Sequence, residues 1–279
     1  MGCRADEMVL YSTGKKIAMN LLFIGDIVGK GGRKAVKELV PELYREFDLT
    51  FSIANAENIA AGSGLAAKCI KDLEGFVDVI TSGDHVWDQK KFEHEIKLFD
   101  HVLRPANLSN LQPGKGYDLF HDTNNNEIVV INLLGRVFVR DSAYCPFETV
   151  ENILKTLPST VKVIILDFHT EATSEIAGMA HFLDGQVTAV LGTHTHVQTA
   201  DAKILPGGTA FISDVGMVGA EFSILGREVK AVVEKFRNGM PQRLPVVEKG
   251  IRLDAVVVSY DQQTGKATAI KNISRMSTV

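Results

Sequence analysis

An α/β fold is what this sequence predicts, and three observations carry the expectation. Short apolar runs rich in β-branched residues recur along the chain, and several are followed by stretches with apolar residues three and four apart. The last third ends in two strand-like runs joined by a polar turn, which makes the sheet mixed rather than purely parallel.

In chain order the strand-like runs are 21–24, 50–54, 77–81, 128–133, 161–168, 187–191, 209–213, 253–260 and 266–273. Helical spacing appears at Val36, Leu39, Val40 and Leu43, at Phe92, Ile96 and Phe99, at Phe147, Val150, Ile153, Leu154 and Leu157, and at Val229, Val232, Val233 and Phe236. Pro41 is expected to break or kink the first of these helices, because it lacks the N–H that the ladder needs. Asp88 and Pro146 suit helix starts. The Asn124-Asn125-Asn126 patch reads as a hairpin turn, and 261–265 as the turn of the closing hairpin. No repeat recurs at a fixed spacing, so residues 19–279 are expected to form one domain. The first run begins directly after Met19, which leaves residues 1–18 as an N-terminal extension without a period.

Composition excludes several function classes. Hydrophobic residues are 45% and charged residues 23% of 279, the balance of a folded domain. Thirty Lys and Arg against 34 Asp and Glu give a net charge of −4 with no basic block, so no duplex nucleic acid partner is expected. No apolar run approaches the ~20 residues that span a bilayer, so no membrane partner is expected either. Cys3, Cys69 and Cys145 have no paired spacing, which points to a reducing, cytoplasmic setting.

The polar residues at strand ends are the informative ones, because open α/β sheets gather ligands at the carboxyl ends of their strands. Asp26 follows the first run, Glu57 and Asn58 the second, and Asp84 and His85 the third; His169 ends another, and His194 and His196 follow the next. Singly, each reads as a turn former or a satisfied core group. Together they form a hard-to-borderline ligand set suited to Mn, Fe, Zn or similar divalent ions, and numerous enough for two. Two cations sharing a carboxylate polarise phosphoryl oxygens and activate a water between them, so phosphoester hydrolysis is the reaction class expected. His85, beside a ligand yet free of the metal, is the expected general acid. The other four histidines, His94, His101, His121 and His181, are read as structural. Gly29-Lys30-Gly31-Gly32 lacks the spacing of a phosphate-binding fingerprint and is read as a flexible turn. Arg104 and Arg136 are read as surface or interface pairs as readily as anion contacts, and Trp87 as core or pocket wall.

The blocks FIGDIVGK, NAENIAAGSGL, GDHVWD, LRPAN, INLLGR, DFHTEATSE, GTHTHVQTAD, ISDVGM and ILGRE, in this order, resemble the calcineurin-like metallophosphoesterases, and within them the YmdB-type bacterial phosphodiesterases. Val28 and Glu57 stand where the wider superfamily has His and Asp, as in the subfamily. The resemblance implies a four-layer α/β/β/α sandwich with mixed sheets. It implies Glu57 bridging two divalent ions, Fe or Mn before Zn or Mg, with Asp26, Asn58 and His196 around one and Asp84, His169 and His194 around the other. It further implies His85 as proton donor, a small phosphodiester or cyclic nucleotide (2′,3′ or 3′,5′) as substrate, and self-association into a homo-oligomer. One departure stands out: the subfamily's third block reads Gly-Asn-His, and here it is Gly83-Asp84-His85. A second reading is therefore a metal-binding regulatory protein with little turnover. An amidohydrolase is disfavoured, because its His-x-His pair comes after the first strand and this one comes late.

Overall fold

The carboxyl ends of the strands on which the sequence reading rests all gather at one rim of the molecule. The structure, a computed structural model, describes residues 18–139 and 142–278. In chain order the strands are β1 (Ala18–Ile24), β2 (Asp26–Ile27), β3 (Leu49–Asn55), β4 (Val79–Thr81), β5 (Tyr117–His121), β6 (Glu127–Leu134), β7 (Val163–His169), β8 (Ala189–Thr193), β9 (Lys203–Ile204), β10 (Ala210–Ile212), β11 (Met217–Ala220), β12 (Ile251–Asp261) and β13 (Ala267–Met276). The helices are α1 (Gly29–Phe47), α2 (Ala67–Lys71), α3 (Phe92–Glu95), α4 (Pro146–Thr156), α5 (Thr173–Phe182) and α6 (Val229–Asn238).

Two mixed sheets result. One runs β2-β11-β12-β1-β3-β4 with β13 beside β12, the other β5-β6-β7-β8-β10-β9. β1, β3 and β4 are parallel while β12 is antiparallel to β1, and β6, β7, β8 and β10 are parallel between antiparallel edges. Side chains alternate across each strand, so each sheet buries two faces. Leu21, Phe23, Phe51 and Ile53 from the first sheet pack against Val130, Ile165, Leu191 and Ile212 from the second. The opposite face of the first sheet, with Leu22 and Ile24, packs on Val36, Leu39, Val40 and Leu43 of α1. That of the second, with Val129, Ile131 and Leu166, packs on Val150 and Ile153 of α4 and Ile176 and Met179 of α5. The layers are therefore helix, sheet, sheet, helix, as the resemblance implies.

Register aligns the rim. Ile24 lies opposite Ala54 and Asn55 opposite Thr81, while Leu134, His169 and Thr193 form one row across the second sheet. β12 and β13 form the closing antiparallel hairpin, and Pro146 is at the start of α4 as expected.

Four local expectations change. α1 runs through Pro41 without breaking: Pro41 and Lys37 lie on its half-buried flank, where water reaches the carbonyl that loses its partner. Residues 29–32 are not a flexible turn but the first turn of that helix. A Cβ on Gly32 would come within 2.5 Å of the Val218 carbonyl oxygen, and the Glu248 carboxylate accepts the Lys30 and Gly31 N–H groups. Asp88 starts no helix, since α3 begins at Phe92. Arg104 is no surface group; it is 5% exposed and donates to the carbonyls of Pro113, Pro105 and Gln112. The expected extension lies outside the described residues except Ala18, which is the first residue of β1. No helix among the described residues is long and apolar enough to cross a membrane.

Candidate metal centre

Close backbone packing aims the first site residue. A Cβ on Gly25 would stand 2.1 Å from the Gly216 carbonyl oxygen, so only glycine lets β1 pass and present Asp26 at the rim. Asp26 is fully buried; its Oδ2 accepts the His194 N–H at 3.1 Å, and its Oδ1 has no partner among the described residues. Glu57 follows β3, its backbone N–H held by Asn55 Oδ1 at 3.1 Å. Its Oε2 lies 3.2 Å from His169 Nε2 and accepts the His85 N–H at 3.2 Å. Asp84 Oδ1 lies 3.1 Å from the same His169 nitrogen and 3.6 Å from His194 Nδ1, and the two imidazole nitrogens are 3.0 Å apart. Beside this group His196 Nε2 is 3.0 Å from Asn58 Oδ1.

The structure thus brings one ligand atom each from Glu57, Asp84, His169 and His194 within 4.8 Å of one another. Asp26 joins them through His194, and Asn58 and His196 form the adjoining pair. None of His94, His101, His121 and His181 belongs to the cluster. The donors are carboxylate and amide oxygens and imidazole nitrogens, and a buried carboxylate oxygen without a partner is what a cation would satisfy, so the residues fit divalent metal. Backbone strain marks the same place: His194 and His196 adopt φ of 121° and 64°, a region L residues avoid unless their surroundings impose it.

Charge follows from burial and crowding. Burial drives Asp26 well above the ordinary carboxylate value, against the pull of His169. Burial would neutralise His169 too, but Glu57 and Asp84 on one nitrogen raise it well above its usual value. Burial also opposes the charge on Asp84, yet hydrogen bonds from His169 and His194 hold it far below the usual carboxylate range. Burial lowers His196 to about 4, leaving it neutral and able to ligate.

Several residues that support this cluster went unread in the sequence. Thr193 Oγ1 is 2.9 Å from His169 Nδ1 and donates to Asp167 at 2.8 Å, which fixes the ring with Nε2 towards the cluster. Asp214 accepts the Thr195 N–H and the Gly216 N–H, each at 2.7 Å, and so shapes the turn carrying both late histidines. Burial pushes Asp167 and Asp214 up to about 6. Glu171 lies 3.1 Å from His194 Nε2. Asp88 holds His85 Nδ1 at 2.8 Å and also receives the Ser63 hydroxyl. Asp214 stands just beyond an apolar run, so the strand-end rule could have found it; Asp167 sits inside one, where only its charge gave it away. Arg136 is exposed, and the Arg136 N–H bonds the Glu175 carboxylate. Trp87 packs beside Phe92 with ring centroids 6.2 Å apart.

Comparison with known proteins meets this geometry. The profile of the family described as YmdB-like protein matches residues 22–273. The chain belongs to the YmdB-like family. It is 42% identical over 256 residues, 91% of this chain and 96% of the other, to the protein of Bacillus subtilis (strain 168) named 2′,3′-cyclic-nucleotide 2′-phosphodiesterase. Two crystal structures are similar. That of a novel phosphatase from Mycoplasma pneumoniae has a TM-score of 0.87 at 32% identity, covering 94% of this chain and 95% of that one. That of a hypothetical protein from Thermus thermophilus has a TM-score of 0.85 at 35% identity, covering 92% and 99%. This YmdB-like chain therefore has the four-layer fold of the metallophosphoesterases, and Glu57, Asp84, His169 and His194 meet at the rim of its strands.

Proposed function

We propose that this protein is a dinuclear metal-dependent phosphodiesterase that hydrolyses cyclic nucleotides, 2′,3′ before 3′,5′, or related small phosphodiesters. The observation that carries the reading is the convergence of Glu57, Asp84, His169 and His194, with His85 donating its backbone N–H to Glu57 and its imidazole on Asp88. Asp26, Asn58 and His196 would hold one ion and Asp84, His169 and His194 the other, with Glu57 placed to serve both. Iron or manganese suits this oxygen and imidazole set, with zinc or magnesium next. When bound, the two cations supply Lewis acidity towards the phosphoryl oxygens and lower the pKa of water between them.

The chain's own residues do the rest. His85 donates a proton to the leaving oxygen. Burial disfavours its charged form, but Glu57, Asp84 and Asp88 outweigh that and raise its pKa, the direction that favours a general acid. Asp88 on Nδ1 leaves Nε2 as the donor facing the substrate. The unpaired thiols of Cys69 and Cys145 suit a reducing cytoplasm. A metal-binding protein with little turnover is the second reading, resting on Asp84 alone.

Turnover of 2′,3′-cyclic AMP with added Mn²⁺ separates the two. His169→Ala is expected to lose metal and activity together. His85→Ala is expected to keep its metal and lose roughly 10²–10⁴-fold in rate on 2′,3′-cyclic AMP, but much less on a nitrophenyl diester whose leaving group needs no proton. Equal losses on both substrates would remove His85 as the acid, and full metal content in His169→Ala would remove the ligand assignment.

A further inference from the structure

Arg227, in the turn after β11, spends its guanidinium on backbone carbonyls. Its Nη1 donates to Leu244 at 3.0 Å and Ala61 at 3.3 Å, and its Nη2 to Gly62. A Cβ on Gly62 would stand 2.6 Å from the guanidinium carbon, so only glycine leaves room for the group there. The turn it grips is strained at Ala61, whose φ of 56° a side chain disfavours, while Gly62 and Gly64 take φ of 88° and 81° that glycine allows.

Both ends of that turn enter the metal centre. At one end the Gly62 carbonyl accepts Asn58 Nδ2 at 3.4 Å as well as Arg227, which turns the Asn58 amide so that Oδ1 faces His196. At the other end the Ser63 hydroxyl bonds Asp88 and lies 3.4 Å from His85 Nδ1. From the opposite side Val246, paired with Arg227 across an antiparallel bridge, fills the space beside Gly62 and Gly29. The Leu225 backbone lies against His196.

We infer that Arg227 is a positioning residue that sets Asn58 for one metal ion and Ser63-Asp88-His85 for proton transfer, through a single strained turn; the inference rests on the phosphodiesterase reading above. Lysine at this position cannot serve, because a point charge lacks the planar fork that reaches three carbonyls.

The test uses the full chain carrying Arg227→Ala or Arg227→Lys. Mn²⁺ titration is expected to show one of two ions bound about 10–100-fold more weakly, the size seen when groups orienting a ligand are removed. Turnover should fall with it at saturating substrate and low Mn²⁺, with KM for 2′,3′-cyclic AMP little changed. Millimolar guanidinium should restore both in Arg227→Ala and neither in Arg227→Lys. Amide hydrogen exchange at residues 60–63 should quicken while that of β3 does not. Wild-type metal affinity in both variants overturns the inference, as does a loss that guanidinium does not reverse. If the wild-type chain itself binds no Mn²⁺ or cleaves no diester, the functional reading fails, and unchanged exchange at 60–63 then overturns the inference separately.

Discussion

Replacing Gly83 with alanine tests the centre through sterics alone. A Cβ there would lie 2.2 Å from His169 Cδ2, 2.3 Å from Glu57 Oε2 and 2.4 Å from His169 Nε2. Non-bonded heavy atoms settle at about 3.5–4.0 Å, so two proposed ligands must retreat by more than about 1 Å. Neither can do so freely: His169 is fully buried with Thr193 on its far nitrogen, and Glu57 is 1% exposed. Overpacking of this kind costs about 1–3 kcal/mol, which in a chain of this size lowers the melting temperature by roughly 2–12 °C. Metal content should suffer more than stability, by about 100-fold or more in affinity, because the displaced atoms are the proposed ligands themselves. Gly178→Ala is the control. Gly178 sits in α5 and its Cβ would meet only Phe147 at 3.8 Å, so alanine there should stabilise by about 0.5–1 kcal/mol without touching the metals. Metal analysis of protein purified without chelator, with scanning calorimetry, reads both effects. A Gly83→Ala protein with two metals and wild-type turnover would refute the placement of Glu57 and His169 around the ions.

One further substitution and one truncation address what sets this chain apart. Asp84→Asn should raise turnover on phosphodiesters while loosening one ion, because the carboxylate, held ionised by His169 and His194, adds negative charge where an anionic phosphate must bind. A Mn²⁺ titration of both proteins at saturating substrate checks it, and a slower Asn variant at saturating metal means that Asp84 serves catalysis. A chain beginning at Met19 loses from the described fold only Ala18, which pairs with Asp261 at the end of β1. It should fold with a melting temperature within about 4 °C of the full chain and keep its turnover, as calorimetry and a diester assay would show.

The elements legible in the sequence are those with long apolar runs. Eight of the nine runs became strands whose side chains are mostly buried, and the ninth became β13, a largely exposed strand legible from the turn that joins it to β12. β2, β9 and β11 escaped notice because two to four residues carry no period, and β5 because its residues are only half buried at the sheet edge. α5 was missed since Gly178 and several small residues blur its stripe. The glycines at 29–32 and Asp88 each obey a local rule that a distant partner overrides, Glu248 for the first and Ser63 for the second, whereas Pro41 stays within α1 on a flank that is only half buried.

The metal-ligating types were legible for a different reason. A divalent site needs charged or imidazole donors, and in a parallel sheet these sit where the strand ends, so position and chemistry mark the same residues twice. The residues that hold the ligands lack that double mark. Asp167 is a carboxylate in an apolar strand, reaching His169 through Thr193 and Asn55. Arg227 acts by way of carbonyls, which every residue has, so although it lies in the ILGRE block its role there could not be told from that of a solvated arginine. What gives it away is three-dimensional: the carbonyl it binds is the one that also receives Asn58. Ligand type can be read from a sequence because the metal's chemistry selects it, whereas ligand orientation is selected by backbone geometry, and that exists only once the chain has folded.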